Sequence, residues 1–327
     1  MLSKQLDEQL PLPLVPVLGP EDERSPEGAL KWAEVHAEEL EELVSRAGAL
    51  LVRSFPIHSA ALFRAFCRAI RPDLRSYAGG DSPRRSVADQ VYTSSEYPEE
   101  LEVLLHNELS YGAWWPQRLF FACLQPAVHG GETHIADGRL VYRNMPRRVR
   151  QKFESLGVLY HQHLWDAEGE AGIGKSWQET FEMTDRDQVE SLLAAAGADY
   201  EWTAFGLRTR LHRPGVLTHP VTSEICWFNQ VDQWHRSFES VKLSFGARND
   251  PRFDPQTAGE ETLGNHATYG DGSEIEPREL AVIRAVCRDC ELLFPWQRGD
   301  VMILDNLLTM HGRKPFSGPR QVLVAMA

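Results

Sequence analysis

Residues 299–326, GDVMILDNLLTMHGRKPFSGPRQVLVAM, contain a histidine and an arginine flanked by two predicted strands. DVMILD (300–305) and RQVLVAM (320–326) are short apolar runs, which are typical of buried strands. The loop between them is predicted to present His311, and Arg320 begins the second strand. This segment is therefore a candidate for both metal and anion chemistry.

The rest of the chain combines further strands with fewer helices. Strands at irregular intervals with long insertions argue against alternating βαβ units and favour a β-sandwich or barrel-like core with helices packed outside. Ser25 and Ser59 are N-cap candidates, and Gly48 is a C-cap candidate. Helices are predicted over 26–48 and 58–70 and near 139–155, 185–196 and 276–292. The other predicted strands are ALLVRSF (49–55), LLHNELSY (104–111), RLFFACL (118–124), THIAD (133–137), GVLYHQH (157–163) and EICWFNQ (224–230).

Charge and composition exclude several classes of protein. There are 34 Lys and Arg against 47 Asp and Glu, a formal net charge of −13 at pH 7, which disfavours contact with a phosphate backbone. No apolar run approaches the ~20 residues of a membrane span, and charges and prolines interrupt the N-terminus where a signal-peptide core would lie. Five cysteines without a disulfide framework suit a reducing compartment. We therefore expect a cytoplasmic protein with neither a membrane nor a nucleic acid as partner.

HNE at 106–108 places an imidazole and a carboxylate two residues apart in a predicted strand. Because side chains alternate between the faces of a strand, His106 and Glu108 are predicted to point the same way. They would supply two of the three ligands of a facial triad, which binds iron(II) and leaves three coordination positions of the metal open. His311 is the best candidate for the third ligand. In such a site 2-oxoglutarate chelates the metal through its keto acid end. Arg320 would then pair with its buried far carboxylate.

Several motifs in the same order resemble those of a known family. From about Ala49 to the C-terminus, the chain resembles the taurine dioxygenase-like family of iron(II)/2-oxoglutarate oxygenases. Within this family it is most similar to the branch in peptide-antibiotic gene clusters that the syringomycin-cluster aspartyl hydroxylase typifies. The motifs are VYTSSEYP (91–98), HNELSY (106–111), GGETHIADGR (130–139), SWQETF (176–181), WFNQ (227–230), FPWQRGDVMILDN (294–306) and HGRKPFSGPR (311–320).

The resemblance implies a mainly β fold with flanking helices around a double-stranded β-helix core, that is, a jelly-roll or cupin-like core. It also implies a single oxygenase domain over residues 1–327. In this interpretation residues 1–24 wrap the surface, and 25–75 form N-terminal helices and a strand. Residues 90–327 form the core, with a long insertion near 140–215.

The resemblance also assigns the site. The family's metal ligands fall on His106, Glu108 and His311, with Glu108 in place of the more usual Asp. Iron(II) is the implied metal, 2-oxoglutarate the co-substrate and O2 the oxidant. Thr133, which follows the Gly130–Gly131 pair, matches a residue that helps to hold the far carboxylate of 2-oxoglutarate, and Arg320 matches an arginine that contacts the co-substrate.

One position departs from the family pattern. Many relatives have a second arginine four residues after the first, and here that position is Val324. Two alternatives remain open: Arg320 alone binds the far carboxylate, or Arg313 assists it.

The implied reaction is hydroxylation of an unactivated C–H bond, with 2-oxoglutarate converted to succinate and carbon dioxide. Desaturation and ring closure remain open, because they depend on how the substrate is placed. Halogenation is disfavoured, since halogenases of this chemistry replace the metal-binding carboxylate with a small residue and Glu108 is intact. The implied substrate is an amino acid, free or bound to a carrier protein, in natural-product biosynthesis such as that of antibiotics.

The substrate-binding candidates each have a structural alternative. Tyr111, Trp114 and Trp115 form a wall of the site or pack in the core. Arg208, with Arg210 nearby, binds a substrate carboxylate or lies on the surface. Asn229, in WFNQ, is a further candidate.

A basic run could dock a carrier protein. It comprises Arg143, Arg147, Arg148, Arg150 and Lys152 on a predicted helix. A solvated helix face explains the same residues. An acyl or peptidyl carrier protein is acidic, so the run remains a candidate docking face.

Two other classes of function are consistent with parts of the pattern. A zinc hydrolase could use the same H-x-E and distant His, but that hypothesis leaves the G-G-x-T motif and Arg320 unexplained. A catalytically silent binding module on the same fold would have no need to retain three metal ligands.

Overall fold

The computed structural model describes the side chains and backbone of residues 25–53, 55–82, 84–169, 174–237 and 264–327 and the backbone of residues 14–16. All the site candidates named above lie in these ranges. None of the helices in the described ranges is long and apolar enough to cross a membrane.

Strands dominate the described part of the chain. They are β1 (Leu14–Pro16), β2 (Ala49–Arg53), β3 (Ser86–Ala88), β4 (Val91–Thr93), β5 (Val103–His106), β6 (Arg118–Gln125), β7 (His129–Gly130), β8 (Ile135–Asp137), β9 (Val158–Trp165), β10 (Asp199–Trp202), β11 (Gly206–Arg213), β12 (Val216–Thr218), β13 (Ile225–Trp227), β14 (Asn265–Tyr269), β15 (Glu291–Leu292), β16 (Val301–Asp305), β17 (Thr309–Arg313), β18 (Phe316–Ser317) and β19 (Gln321–Met326).

Helices lie between these strands. They are α1 (Pro26–Val35), α2 (Ala37–Ala47), α3 (Ala60–Ile70), α4 (Gly138–Asn144), α5 (Arg147–Leu156), α6 (Trp177–Phe181), α7 (Arg186–Ala196), α8 (Val231–Trp234) and α9 (Pro277–Asp289).

Two sheets form the core. The larger has the strand order β1-β2-β16-β6-β19-β4-β3 and the smaller β15-β8-β17-β5. Strand pairing is antiparallel in both, apart from β1, which runs parallel to β2. Buried residues of the two sheets belong to one hydrophobic cluster. The predicted jelly-roll core with flanking helices is confirmed.

The larger sheet is buried on both faces. Phe121 and Met302 are partners on neighbouring strands and pack toward the smaller sheet. Phe120 and Ile303, the next pair, point the opposite way and pack with Phe63 and other residues of the N-terminal helices. Each such side chain stabilises the fold by roughly 1.5–3 kcal/mol relative to an exposed one. Burial on both faces explains why these strands are continuous apolar runs without polar alternation.

The predicted caps are confirmed at the N-terminal helices. The Ser25 hydroxyl accepts the N–H of Gly28 at 2.9 Å, the Ser59 hydroxyl caps α3, and Gly48 ends α2 with φ +86°. The single helix predicted over 26–48 is in fact two. They divide at His36, whose φ of −102° and ψ of 10° are not helical.

Other boundaries also differ from prediction. The helix predicted near 139–155 divides at Pro146, which has no N–H to continue α4. The strand predicted over 104–111 ends at His106, and the one predicted over 224–230 ends at Trp227. Within the predicted insertion, β9, β10 and β11 form a further sheet with β14.

Domain boundaries remain a prediction. The backbone of residues 14–16 adds a strand to the edge of the larger sheet, so part of the predicted wrapping segment joins the core sheet. The rest of residues 1–24 lies outside the described residues.

Candidate active site

Two histidines from distant parts of the chain face each other across neighbouring strands. His106 ends β5 and His311 lies within β17, and the two are direct partners in the antiparallel register. Their ring centroids are 4.3 Å apart. The prediction that a loop presents His311 is wrong, because this residue lies in a buried strand whose pairing sets its position.

Glu108 reaches the same point from a turn. β5 ends at His106, and the backbone turns at Leu109 with φ +56°. Asn306 holds this turn, since its side chain accepts the N–H of Glu108 at 2.8 Å and donates to the carbonyl of Glu108 at 3.0 Å. Donor atoms of His106, Glu108 and His311 all lie within 4.8 Å of one another, and all three residues are buried. The structure brings the three predicted ligands together, but strand alternation is not the reason.

The imidazoles are held neutral, as metal ligation requires. His106 Nδ1 donates to the carbonyl of Leu104 at 2.8 Å, while the Gln233 amide is farther away at 3.2 Å. A proton on Nδ1 leaves the Nε2 lone pair available. Burial, followed by the neighbouring His311, lowers the pKa of His106 to about 3. Burial also lowers the pKa of His311, whose Nε2 lies 3.4 Å from Glu108 Oε2.

Arg84, which no sequence motif indicated, contacts Glu108 directly. Its Nη2 donates to Glu108 Oε2 at 2.7 Å, and each side chain is 4% exposed. The guanidinium lies over the Tyr77 ring, 4.3 Å from its centroid. Burial alone would raise the pKa of Glu108, but the charge of Arg84 and the hydrogen bond with His311 outweigh it and hold this pKa well below its ordinary value. No spacing signal in SPRRS marks Arg84, because its pairing with Glu108 depends on tertiary packing.

Two other clusters of histidines and carboxylates in the described ranges have different chemistry. In the first, backbone N–H groups donate to Nδ1 of His235 and of His266, which places the proton on Nε2 and opposes metal ligation there. In the second, His134 pairs with Glu291, and Lys314 already supplies a cation at 2.6 Å from Glu291. The donor arrangement therefore favours the His106, Glu108 and His311 cluster as the metal site.

The predicted co-substrate residues Thr133 and Arg320 belong to one turn region. Arg320 Nε donates to the carbonyl of Gly131 at 2.9 Å, and its Nη1 donates to Ser94 Oγ at 3.2 Å. Thr133, two residues after Gly131, is buried, and its hydroxyl accepts Trp296 Nε1–H at 3.1 Å. Burial and the charge of Arg313 lower the pKa of Arg320 to about 10. No carboxylate in the described ranges forms an ion pair with Arg320, so its charge is available for an anion.

Arg313 has a different environment. Its guanidinium donates to the carbonyls of Tyr97 at 3.0 Å, Pro98 at 2.7 Å and Leu101 at 2.5 Å. The side chain is therefore committed to the segment before β5. This geometry does not favour the predicted assistance to Arg320 in binding 2-oxoglutarate.

A cavity opens onto Glu108. The Tyr111 hydroxyl accepts the backbone N–H of Asp81 at 2.6 Å, and the carboxyl of Asp81 is hydrogen-bonded by Asn265. Burial raises the pKa of Asp81. No cation in the described ranges forms an ion pair with it. The lining includes Glu108, Asp81, Tyr77, Tyr97, Tyr111 and Trp234.

The other predicted substrate residues do not line this cavity. Trp114 lines a separate apolar cavity, which shares Tyr111 and Trp234 with the first. Trp115 packs edge-on against Phe228, with ring centroids 5.1 Å apart.

Asn229 and Arg208 are also placed elsewhere. Asn229 donates to the carbonyl of Gly215 at 2.8 Å and accepts the N–H of Val231 at 3.3 Å, so its amide serves the backbone. Arg208 lies on β11 with a 43% exposed side chain, 3.8 Å from Glu201. Tyr111 is the predicted substrate residue that the structure places beside Glu108.

A jelly-roll core that gathers two imidazoles and a carboxylate is the framework of the non-haem iron(II) oxygenases. Comparison with known proteins agrees: residues 10–326 match the family described as "Taurine catabolism dioxygenase TauD, TfdA family". The chain belongs to this family.

Relatives are similar over most of their length. The chain is 34% identical over 288 residues to the dapdiamide synthesis protein DdaC of Enterobacter agglomerans, covering 88% of this chain and 84% of that protein. It is 32% identical over 296 residues to a clavaminate synthase-like protein of Arabidopsis thaliana, covering 88% and 83%. In fold it is similar to an asparagine oxygenase solved with Fe(II), 2S,3S-3-hydroxyasparagine and succinate, at a TM-score of 0.55 and 10% identity, covering 92% of this chain and 83% of that chain.

Family membership identifies the chain as a dioxygenase that uses iron(II), 2-oxoglutarate and O2. The donor set alone would not do so, since zinc also binds two histidines and a glutamate. The zinc hydrolase and the silent module are therefore set aside.

Proposed function

We propose that this dioxygenase oxidises a C–H bond of an amino acid or aminoacyl substrate, by hydroxylation in the first instance, in natural-product biosynthesis. The observation that carries the proposal is the position of Asp81, a carboxylate in the cavity that opens onto Glu108. The likeness to DdaC, a dapdiamide synthesis protein, supports the biosynthetic setting.

His106, Glu108 and His311 would hold the iron. Two neutral imidazoles and one ionised carboxylate fit the facial triad of iron(II) oxygenases. The His311 Nδ1 atom is buried without a hydrogen-bond partner in the described ranges, and Nε2 lies 3.4 Å from Glu108, which is itself one of the three proposed ligands. Bound iron(II), with 2-oxoglutarate and O2, supplies the oxidant. The protein's part is to hold the ligands and to exclude bulk water from a buried site.

Arg320 and Thr133 would hold the far carboxylate of 2-oxoglutarate. Arg320 is a largely buried cation with no ion pair to a carboxylate in the described ranges, and a buried charge requires a partner of opposite sign. An arginine fork also matches the geometry of a carboxylate. Thr133 lies next to the Gly131 turn that Arg320 contacts, and its hydroxyl proton can be donated while its oxygen accepts from Trp296.

Asp81 would bind the amino group of the substrate. The nearby Lys175 ammonium attracts its carboxylate but forms no ion pair with it in the described ranges. Aromatic rings of Tyr77, Tyr97 and Trp234 line the same cavity. A carboxylate combined with aromatic faces suits an ammonium group. Free amino acids and carrier-bound aminoacyl groups both present that group, so Asp81 accommodates either.

Exposed residues of α5 allow a test of whether a carrier protein docks there to deliver a bound substrate. Arg147 and Arg148 are exposed, whereas Lys152 pairs with Glu279 at 2.8 Å. Replacing Arg147 and Arg148 by Glu should slow turnover of a carrier-bound substrate if this face docks the carrier. Unchanged turnover would exclude docking through α5.

The deciding experiment measures succinate release against free and carrier-loaded amino acids, with iron(II), 2-oxoglutarate and O2 present. We expect at least one amino acid to stimulate succinate release and to gain oxygen, or lose hydrogen, by mass spectrometry. A panel in which no amino acid stimulates release above the basal rate would contradict the proposed substrate class.

A further inference from the structure

We propose that Arg84 anchors a carboxylate group beside the metal site, in addition to holding Glu108. This inference rests on the proposed function, because it concerns the ligands of that site. The carboxylate has two chemical sources, the substrate and 2-oxoglutarate.

The first observation is that Arg84 uses only part of its hydrogen-bonding capacity. Its Nη2 donates to Glu108 at 2.7 Å, but Nε and Nη1 are buried without a partner in the described ranges. Buried polar atoms without partners are uncommon in folded proteins and point to a missing ligand. Nε and Nη1 lie on different edges of the guanidinium, and Nη2 belongs to both edges, so the edge that Glu108 leaves free can donate to a carboxylate.

The second observation concerns charge. The side chain of Arg84 is 4% exposed, and Glu108 is the only carboxylate in the described ranges that forms an ion pair with it. Once a divalent metal binds Glu108, the single negative charge of this carboxylate lies beside two cations, the metal and Arg84. A further anion beside Arg84 would offset the excess positive charge in this buried region.

The third observation is the neighbouring Asp81. Asp81 lies three residues before Arg84 and lines the cavity that opens onto Glu108. The two side chains carry opposite charges, and each is near Glu108: Asp81 shares its cavity and Arg84 donates a hydrogen bond to it. A free amino acid carries both an ammonium and a carboxylate group, whereas a carrier-bound thioester carries only the ammonium. A substrate carboxylate at Arg84 would therefore select a free amino acid.

The test compares the wild type with Arg84→Gln and Arg84→Lys by calorimetry on the full-length protein loaded with manganese(II), without O2. One arm titrates 2-oxoglutarate. The other arm, at saturating 2-oxoglutarate, titrates the twenty L-amino acids and the methyl esters of those that bind. Arg85→Gln is the matched control, because Arg85 is exposed beside Arg84. Circular dichroism and manganese affinity report whether each variant retains its fold and its metal site.

We expect Arg84→Gln to weaken binding of one carboxylate by about tenfold or more, with Arg84→Lys intermediate. Weaker binding of an amino acid but not of its methyl ester assigns the anchor to the substrate. Weaker binding of 2-oxoglutarate assigns it to the co-substrate. If 2-oxoglutarate affinity is unchanged and no amino acid distinguishes Arg84→Gln from the wild type, the anchor proposal is wrong.

Different results would contradict the proposed function and the proposed role of Arg84. Absence of amino-acid-stimulated succinate release in the wild type would contradict the proposed function, while the 2-oxoglutarate arm would still decide the role of Arg84. A loss confined to manganese affinity would leave Arg84 as a residue that positions Glu108 and would overturn its role as an anchor.

Discussion

His106 and His311 are direct partners across β5 and β17, with ring centroids 4.3 Å apart. The pairing of two strands from distant parts of the chain thus assembles the candidate metal site. Neither histidine can shift along its strand without a change of register, which would also move its neighbours between the two faces of the smaller sheet. The site is therefore as rigid as the sheet that carries it.

Removal of either histidine should abolish metal binding. We expect His106→Ala and His311→Ala to weaken manganese(II) affinity by more than about a hundredfold and to eliminate substrate-dependent succinate release. His129→Ala, at an exposed histidine of β7, is the control and should retain both properties. Wild-type affinity in either alanine variant would remove that residue from the ligand set.

The two arginines near the C-terminus should have separable effects. Arg320→Gln is expected to raise the KM for 2-oxoglutarate by about tenfold or more while the melting temperature changes little. Arg313→Gln should chiefly lower the melting temperature, because it leaves the carbonyls of Tyr97, Pro98 and Leu101 without their donors. Steady-state kinetics and thermal unfolding distinguish the two. A reversed pattern would make Arg313 the co-substrate anchor.

Gly131→Ala should impair 2-oxoglutarate binding. Gly131 has φ +75°, and a Cβ there would lie 3.0 Å from Cδ and Nε of Arg320. Backbone strain should cost about 1–2 kcal/mol, and the added methyl group should displace Arg320. Gly197→Ala is the matched control, since Gly197 has φ +71° and a Cβ there would meet no atom within 4 Å. Equal KM values for 2-oxoglutarate in the two variants would show that Arg320 is not displaced.

Asp81→Asn should weaken substrate binding selectively. This change keeps the shape of the side chain and removes its charge, so the KM for the amino acid found in the succinate assay should rise by about tenfold. The KM for 2-oxoglutarate should stay within a factor of about two, since Arg320 is assigned to that carboxylate. A rise confined to 2-oxoglutarate would exclude Asp81 as the ammonium site.

Acid should destabilise the metal-free protein partly through His235. Burial, followed by the nearby His266, lowers the pKa of His235 to about 4, and Glu274 and Arg236 also face it. Between the ordinary pKa of 6.5 and about 4, the unfolded chain binds a proton that the folded chain does not, so stability falls as pH falls through this window. From pH 7 to pH 5 we expect a loss of about 2 kcal/mol from this group.

Urea unfolding at pH 7 and pH 5 measures this effect. His235→Asn removes the titrating group, so the variant should lose less stability than the wild type over the same interval. An identical loss in both proteins would show that His235 does not titrate in this range.

Local sequence patterns were sufficient to predict much of the fold. The apolar runs around residues 300–305 and 320–326 predicted β16 and β19, because a strand buried on both faces is apolar at every position. Ser25, Ser59 and Gly48 marked helix ends, since capping depends only on nearby backbone. Strands such as β10 and β11 were not predicted, because their polar residues, among them Arg208 and Arg210, interrupt the apolar pattern.

The amino-acid sequence by itself determined which side chains are available for chemistry, and the order of its motifs indicated the family. Beyond the three metal ligands that the resemblance assigned, only the tertiary structure decided which of those side chains meet. Arg84 beside Glu108, Asp81 in the cavity and Arg313 turned toward backbone carbonyls depend on contacts between distant segments. Such contacts follow from strand register and the packing of side chains, and no local periodicity encodes either of them.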